Sequence, residues 1–440
     1  MNLAEQIRNA KQTNSQRFNL SCGLKQFPVE IYDLAETLEI LDLSGNDLSS
    51  LPDDFGRLHK LRILFFSDNQ FTELPSVLGQ LSSLTMVGFK ANKIRKVPAA
   101  SLAKSIRWLI LTDNQISELP AEIGQCTQMQ KLMLAGNQLQ SLPDEMAACK
   151  QLELLRIAAN RFTELPEWLF DLPRLSWLAY AGNPCCDISE SNALANNPIS
   201  EIDWHDLDIH QKLGEGASGI IHHAKWQRSP ENKIDVAVKL FRGSITSDGL
   251  PHSEKTACIS AGNHPNLISV HGKIKHHPTG ITGLVMSLIN TQFINLAGPP
   301  SLDSCTRDTY PSAALFTIDF ALNIAHGIAS AAQQLHSKGI MHGDLYAHNI
   351  LHNSEGNCLL GDFGAASFYS MQKHTQALAL QRIEVRAFGC LLEELIERCD
   401  HKHAVDTLMI LKKLQLSCMQ KDNTQRPLFQ EILQVLDGLK

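Results

Sequence analysis

The stretch His342-Gly343-Asp344-Leu345-Tyr346-Ala347-His348-Asn349 decides how the second half of this chain is read. Eighteen residues after Asp344 comes Asp362-Phe363-Gly364. Upstream lie a glycine-rich turn, Gly214-Glu215-Gly216-Ala217-Ser218-Gly219, and a lysine that closes Val236-Ala237-Val238-Lys239. A lone G-x-G-x-x-G is weak, because it also opens the long helix of dinucleotide-binding folds. Here Ile220-Ile221-His222-His223-Ala224 continues as a strand pattern and residues 236–239 supply the next strand. Glycines let the main chain approach phosphate oxygens with no side chain in between. Aspartate and asparagine are hard oxygen ligands of the kind Mg²⁺ takes.

Taken in this order and at these separations, the four segments resemble a eukaryotic-type protein kinase from about Trp204 to the C-terminus. The resemblance implies an α+β bilobal protein-kinase-like fold using ATP and Mg²⁺. Asp344 would be the catalytic base, Lys239 would hold the α- and β-phosphates, and Asn349 and Asp362 would hold the metal. Glu254 precedes His264-Pro265-Asn266-Leu267 on an expected helix and would pair with Lys239. Leu213, Gly214, Gly216, Gly219, Ile221 and Ala237 would line the nucleotide site. Met286 fits the gatekeeper at the end of the apolar run 283–286. Residues 287–289, with Leu288, would be the hinge that meets adenine. Gln425-Arg426-Pro427 resembles the last kinase subdomain.

The chain also departs from that family. Gly343 replaces the arginine that normally meets an activation-loop phosphate, and Tyr346 stands where serine/threonine kinases usually carry lysine. His348 is a candidate to supply part of the lost charge. Glu384 replaces an aspartate at the start of the F-helix-like run 384–389, and no Ala-Pro-Glu motif precedes it. Ser367, Tyr369, Ser370 and Thr375 are hydroxyls in the expected activation loop. The full set Lys239, Asp344, Asn349 and Asp362 favours an enzyme; a protein serine or threonine is the expected acceptor, although the residues after Asp344 do not separate these from tyrosine. The alternative is a pseudokinase scaffold that binds ATP and partners without phosphotransfer.

The first half repeats. Asn46, Asn69, Asn92, Asn114, Asn137, Asn160 and Asn183 recur every 22 or 23 residues, each behind a pattern such as Leu38-x-x-Leu41-x-Leu43. Proline follows six residues after all but the last, and Cys22 with Pro28 has the spacing of an irregular first turn. This is similar to the leucine-rich repeat, an α/β solenoid in which only stacked units bury the apolar face. We divide the chain into a repeat domain at 1–184, an irregular polar linker at 185–203 and a kinase-like domain at 204–440. Side chains alternate along a strand, so Ile40, Ile63, Met86, Trp108, Lys131, Leu154 and Trp177 form one outward column. Asp42, Phe65, Gly88, Ile110, Met133, Arg156 and Ala179 form the next. Phe65, Trp108 and Trp177 are the expected anchors for a protein partner, with the kinase half or a second copy as the alternative cover.

Composition sets the remaining bounds. A chain of 440 residues holds two or three domains, and a net charge of −7 gives no basic footprint for nucleic acid or membrane. Only His59 precedes residue 204 among the 18 histidines, which marks two separate units. The 11 cysteines form no C-x-x-C pair and read as free thiols of a reducing compartment. Residues 1–16 lack an apolar signal core, and no apolar run is long enough to span a membrane. A cytoplasmic location is the expectation. His222-His223, His276-His277 and His401 with His403 read as solvated histidines rather than a zinc site.

Overall fold

The computed structural model describes residues 3–243, 245–400 and 405–439. They form two compact units, Met1–Leu172 and Pro173–Lys440. His401 and His403 lie outside the described residues.

The first unit opens with helix α1 (Leu3–Gln12), which covers the start of the coil and buries Ile7. Three-residue strands follow: β1 (Arg17–Asn19), β2 (Ile40–Asp42), β3 (Ile63–Phe65), β4 (Met86–Gly88), β5 (Trp108–Ile110), β6 (Lys131–Met133) and β7 (Leu154–Arg156). Each pairs parallel with the next, and the register is that of the sequence columns, from Ile40 against Ile63 to Lys131 against Leu154. The middle residues Leu41, Leu64, Val87, Leu109, Leu132 and Leu155 point inward and are buried. Prolines such as Pro52, Pro75, Pro120 and Pro143 enter short 3-10 helices on the opposite side. Their fixed φ suits a helix start, where the missing N–H costs nothing.

The asparagines join neighbouring coils. The Asn137 Nδ2 donates to the Leu111 and Leu134 carbonyls, at 2.9 Å each, and its Oδ1 accepts from the Ile116 N–H at 3.0 Å. Asn69, Asn92 and Asn160 repeat the arrangement. The amide thus satisfies main-chain groups that the coil's turn would otherwise bury unpaired.

In the outward columns the Phe65 ring lies over Gly88, where a Cβ would come within 2.7 Å of it. Trp108 is half-buried, with the Lys131 ammonium 4.3 Å above its ring and its Nε1–H donating to the Met133 sulfur at 3.4 Å.

The second unit begins inside the last repeat turn. Strand β8 (Trp177–Ala179) keeps the repeat pattern, with Leu178 fully buried. The expected irregular linker is ordered: α2 (Pro184–Asn196) starts with Pro184 at its first turn, and β9 (Glu201–Asp203) adds a strand. Only the short gap at 197–200, between α2 and β9, is irregular. The repeat pattern runs on to 184, whereas the packing boundary falls at 172/173.

A six-stranded sheet follows, in the order β10-β11-β12-β14-β13-β9. It contains β10 (Leu207–Gly216), β11 (Gly219–Ser229), β12 (Asn232–Phe241), β13 (Val270–Lys275) and β14 (Gly283–Ser287), with helix α3 (Pro251–Ala261) between β12 and β13. The larger lobe carries α4 (Ile318–Ser337), α5 (His374–Glu397), α6 (Val405–Cys418) and α7 (Phe429–Asp437). Short strands flank its loops: β15 (Ile294–Asn295), β16 (Ile340–Met341), β17 (Ile350–His352), β18 (Cys358–Leu360) and β19 (Ser367–Phe368). No helix among the described residues is long and apolar enough to cross a membrane. The cysteines are free thiols, with the Cys185 and Cys186 sulfurs 3.8 Å apart.

Candidate functional site

Strands β10 and β11 meet at the glycine-rich turn. Gly219 has no room for a side chain, since a Cβ would fall 2.2 Å from the Leu240 carbonyl oxygen. Gly214 and Gly216 face open space. The fold therefore demands glycine at 219 alone, and the other two leave the main chain bare toward whatever sits below it.

Below it is a cavity lined by Gly216, Gly219, Lys239, Asp362 and Gly364, together with Thr246 and Asp248. Lys239 on β12 forms an ion pair with Glu254 on α3. Both side chains are largely buried. Burial works against the Lys239 charge, but the Glu254 carboxylate outweighs it and holds the lysine above its usual pKa. The pair fixes the sheet against the helix and leaves an ammonium at the cavity wall.

A second cavity adjoins it, apolar and lined by Leu213, Ile221, Ala237, Met286 and Leu288, with Gly214 at its edge. Ala237 and Met286 are paired across β12 and β14. Residues 287–289 continue along this wall, and Leu351 on β17 is a further lining residue that the motif reading missed. Its only signal was the apolar pair Ile350-Leu351 just past Asn349.

The loop 342–349 lies between β16 and β17. The Asn349 Nδ2 donates to the Asp344 carboxylate at 2.8 Å and to its carbonyl at 2.9 Å. The amide nitrogen is thus committed to Asp344, and the group Asn349 offers a cation is its amide oxygen. Asp362 is exposed, in the left-handed region at φ 53°, and its carboxylate accepts from the Gly364 N–H at 3.1 Å. Asp362 lines the cavity, and the Asn349 carbonyl accepts from the Gly361 N–H at 2.9 Å, next to Asp362 in the chain; a carboxylate and an amide oxygen are hard ligands of the kind Mg²⁺ takes. No cluster of three or more histidine, cysteine or acidic ligands occurs among the described residues. His223 and His276 pair with Asp235 and Asp203 respectively.

Glu384 anchors the loop. Its carboxylate accepts from the Gly343 N–H at 2.7 Å and the His342 N–H at 3.2 Å, and pairs with His336 of α4 at 2.7 Å. Burial raises its pKa, but the His336 hydrogen bond and the nearby imidazoles win and hold it below the usual carboxylate range. Glu384 thus ties the 342–343 main chain to α4. His348 pairs through Nδ1 with Asp308 at 2.7 Å, and its N–H donates to the same carboxylate at 2.9 Å. Burial opposes the imidazolium, but Asp308, Asp344 and Asp362 together raise its pKa. Asp308 lies forty residues away in an irregular stretch, and nothing local in the sequence marks it.

Three expectations need correcting. Trp177 is 1% exposed and cannot anchor a partner, because its ring stacks on Tyr346. Ser367 and Tyr369 are buried, not loop hydroxyls open to phosphorylation; Ser367 accepts from the Tyr180 and Ala181 N–H groups, and the Tyr369 hydroxyl donates to the His336 carbonyl. Thr375 lies inside α5, which already begins at His374, and not in the expected activation loop.

Residues 207–406 match the family model described as protein tyrosine and serine/threonine kinase. Residues 36–94 and 127–184 match leucine-rich repeats. The chain carries a protein kinase domain joined to leucine-rich repeats. Among curated relatives, it is similar to chicken (Gallus gallus) ephrin type-B receptor 5 and ephrin type-B receptor 2. Each is 26% identical over 294 residues, a match that covers 57% of this chain and 28% of the receptor. The chain thus spans well under half the length of these relatives.

Proposed function

We propose that this chain is an active protein kinase that transfers the γ-phosphoryl group of ATP to a protein hydroxyl, with serine or threonine as acceptor. The closed Lys239–Glu254 pair carries the reading, since it places an ammonium on the wall shared by the glycine-rich turn and Asp362. Adenine would occupy the apolar cavity between Leu213, Ala237, Met286 and Leu288. Lys239 would hold the α- and β-phosphates under the bare main chain of Gly214 and Gly216. Asp344 would accept the acceptor hydroxyl's proton as its oxygen attacks the γ-phosphorus and the bond to the β-phosphate oxygen breaks. Asn349 and Asp362 would hold Mg²⁺, which supplies positive charge to the phosphates when bound. His348 would add a further cation beside Asp344.

The retained set of Lys239, Asp344, Asn349 and Asp362 supports catalysis over a scaffold role. The test is transfer of labelled γ-phosphate from Mg-ATP to protein by the full chain, beside Asp344→Ala and Lys239→Met. Label with the parent alone supports the kinase. No label on itself, a generic substrate or a lysate, with melting still raised by Mg-ATP, supports the scaffold. The family model spans both acceptor classes, and phosphoamino-acid analysis of the product separates them.

The repeats are proposed to recognise the protein substrate through the Phe65 and Trp108 columns, raising its local concentration. Full-chain Phe65→Ala and Trp108→Ala should slow phosphorylation of a native target while sparing a generic peptide. Equal effects on both substrates would count against this role. We place the protein in the cytoplasm, a location that fractionation of the tagged full chain tests directly.

A further inference from the structure

The loop that carries Asp344 is gripped by the last repeat turn. Within the second unit, the Trp177 ring lies flat on Tyr346, with centroids 4.1 Å apart and planes 6° from parallel. Its Nε1–H donates to the Leu345 carbonyl at 3.1 Å. One side chain therefore holds the two residues that follow Asp344. On the other side of Asp344, Gly343 sits at φ +75°, and a Cβ there would fall 2.7 Å from the Leu178 carbonyl oxygen. Residues of β8 thus meet the loop both before and after the aspartate.

The grip has its own supports. The Ser367 hydroxyl accepts from the Tyr180 and Ala181 N–H groups at 2.9 and 3.1 Å. Arg386 of α5 donates to the Pro173 carbonyl and the Ser176 hydroxyl, at 3.0 Å each. Arg426 reaches the same Pro173 carbonyl, also at 3.0 Å. Beyond the strand, α2 continues to α3, where Ser253, next to Glu254, donates to Glu190 at 3.2 Å.

Trp177 is not needed by the repeat itself. It lies in the outward column, and its neighbour Leu178 fills the repeat core. A buried indole that stacks on one loop residue and donates to another orders that loop, since it removes freedom the main chain would otherwise keep.

We propose that Trp177 is a positioning residue of the kinase site, and that the terminal repeat turn holds the Asp344 loop in working geometry through Tyr346 and Leu345. This rests on the phosphotransfer reading for its consequence, but the grip itself is measurable without turnover. The experiment uses the full chain with Trp177→Ala, Trp177→Phe and Ser367→Ala. It combines steady-state kinetics with amide hydrogen exchange over 343–349. Trp177→Ala should lower kcat by about tenfold or more, while the ATP KM stays within about twofold, because Trp177 lines neither nucleotide cavity. Trp177→Phe keeps a ring on Tyr346 and loses only the donated hydrogen bond, so it should fall between parent and alanine variant. Exchange at 343–349 should quicken in the same order, and Ser367→Ala, which leaves the indole in place, should loosen the strand and loop without creating a large cavity. Unchanged exchange at 343–349 in Trp177→Ala would overturn the proposal. So would a parental kcat in that variant, or a kcat loss matched by an equal rise in ATP KM. If the parent itself transfers no phosphate, the functional reading fails, and exchange alone still decides whether Trp177 orders the loop.

Discussion

Replacing Glu384 by glutamine keeps the side chain's size but removes its charge and one of its two acceptor oxygens. The parent carboxylate is fully buried and accepts from the Gly343 N–H, the His342 N–H and the His336 ring. An amide offers one oxygen and turns its other end into a donor, which then faces an N–H group. At least one main-chain donor beside Asp344 is left buried and unpaired. A hydrogen bond to a charged acceptor is worth roughly 1.5–3 kcal/mol, so Glu384→Gln should cost about 3 kcal/mol in the second unit. Removing the side chain altogether, in Glu384→Ala, should cost more, in the range of about 3–5 kcal/mol for breaking a buried pair. The assay is urea unfolding followed by fluorescence, with kcat measured beside it. The sign with pH follows from a pKa held below the usual carboxylate range. The stability contributed by Glu384 is present above the unfolded carboxylate pKa and is lost as pH falls through the lower folded value. The gap between parent and glutamine variant should therefore close on the acid side. A glutamine variant within about 0.5 kcal/mol of the parent at neutral pH, with parental kcat, would refute the anchoring role.

The His348 pKa is raised, so its imidazolium persists above the usual histidine range and its contribution disappears as pH rises through the raised value. His348→Ala should cost roughly tenfold or more in kcat at neutral pH, and His348→Arg should restore rate and flatten the alkaline limb; an alkaline limb unchanged in the arginine variant would remove His348 as its source. Asn137→Ala in the repeats should cost about 2 kcal/mol in urea unfolding, because it orphans buried main-chain groups on two coils, and a loss under about 0.5 kcal/mol would dismiss the ladder. Gly343→Arg, which restores the residue usual in the kinase family, should destabilise by more than about 2 kcal/mol, since the site is at positive φ and closed by the Leu178 and Ala365 carbonyls; a thermal melt at or above the parental value would contradict this.

Much of the architecture was legible because periodic patterns have one cheap physical solution. The repeats' leucines and asparagines recur at a spacing that only a stacked coil buries, and the observed strand register follows the columns residue by residue. The walls of the two cavities beside the glycine-rich turn were legible for a different reason: Gly216 and Lys239 line one, Gly214 and Met286 the other. The kinase resemblance picked these residues out, because their motifs are rare together by chance. Leu351, Thr246, Asp248 and Asp308 were not legible. Each is an ordinary residue that gains meaning only when a distant segment folds against it, as Asp308 does beneath His348. The ordered helix α2 was missed because its composition is polar and its apolar face is weak; it is held by packing on α3 and by Glu190, not by an amphipathic stripe.

The departures from the kinase family resolve into one local rearrangement. Gly343 looked like a lost arginine, yet the Leu178 carbonyl occupies the place a side chain there would take. Tyr346 looked like a lost lysine, yet its ring is the platform for Trp177. Ser367 looked like a modifiable hydroxyl in a stunted loop, yet it receives the main chain of Tyr180 and Ala181. All three contact the same stretch, 177–181, which the repeat pattern alone would have assigned to a separate domain. The short segment 365–373, between Gly364 and α5, carries Ser367 against that stretch. The repeat turn and the altered motif thus fit as complementary halves of one contact. Neither half explains itself in isolation: an indole has no reason to sit in a buried repeat column, and a kinase loop has no reason to carry glycine and tyrosine where charges are usual, until the two are placed against each other.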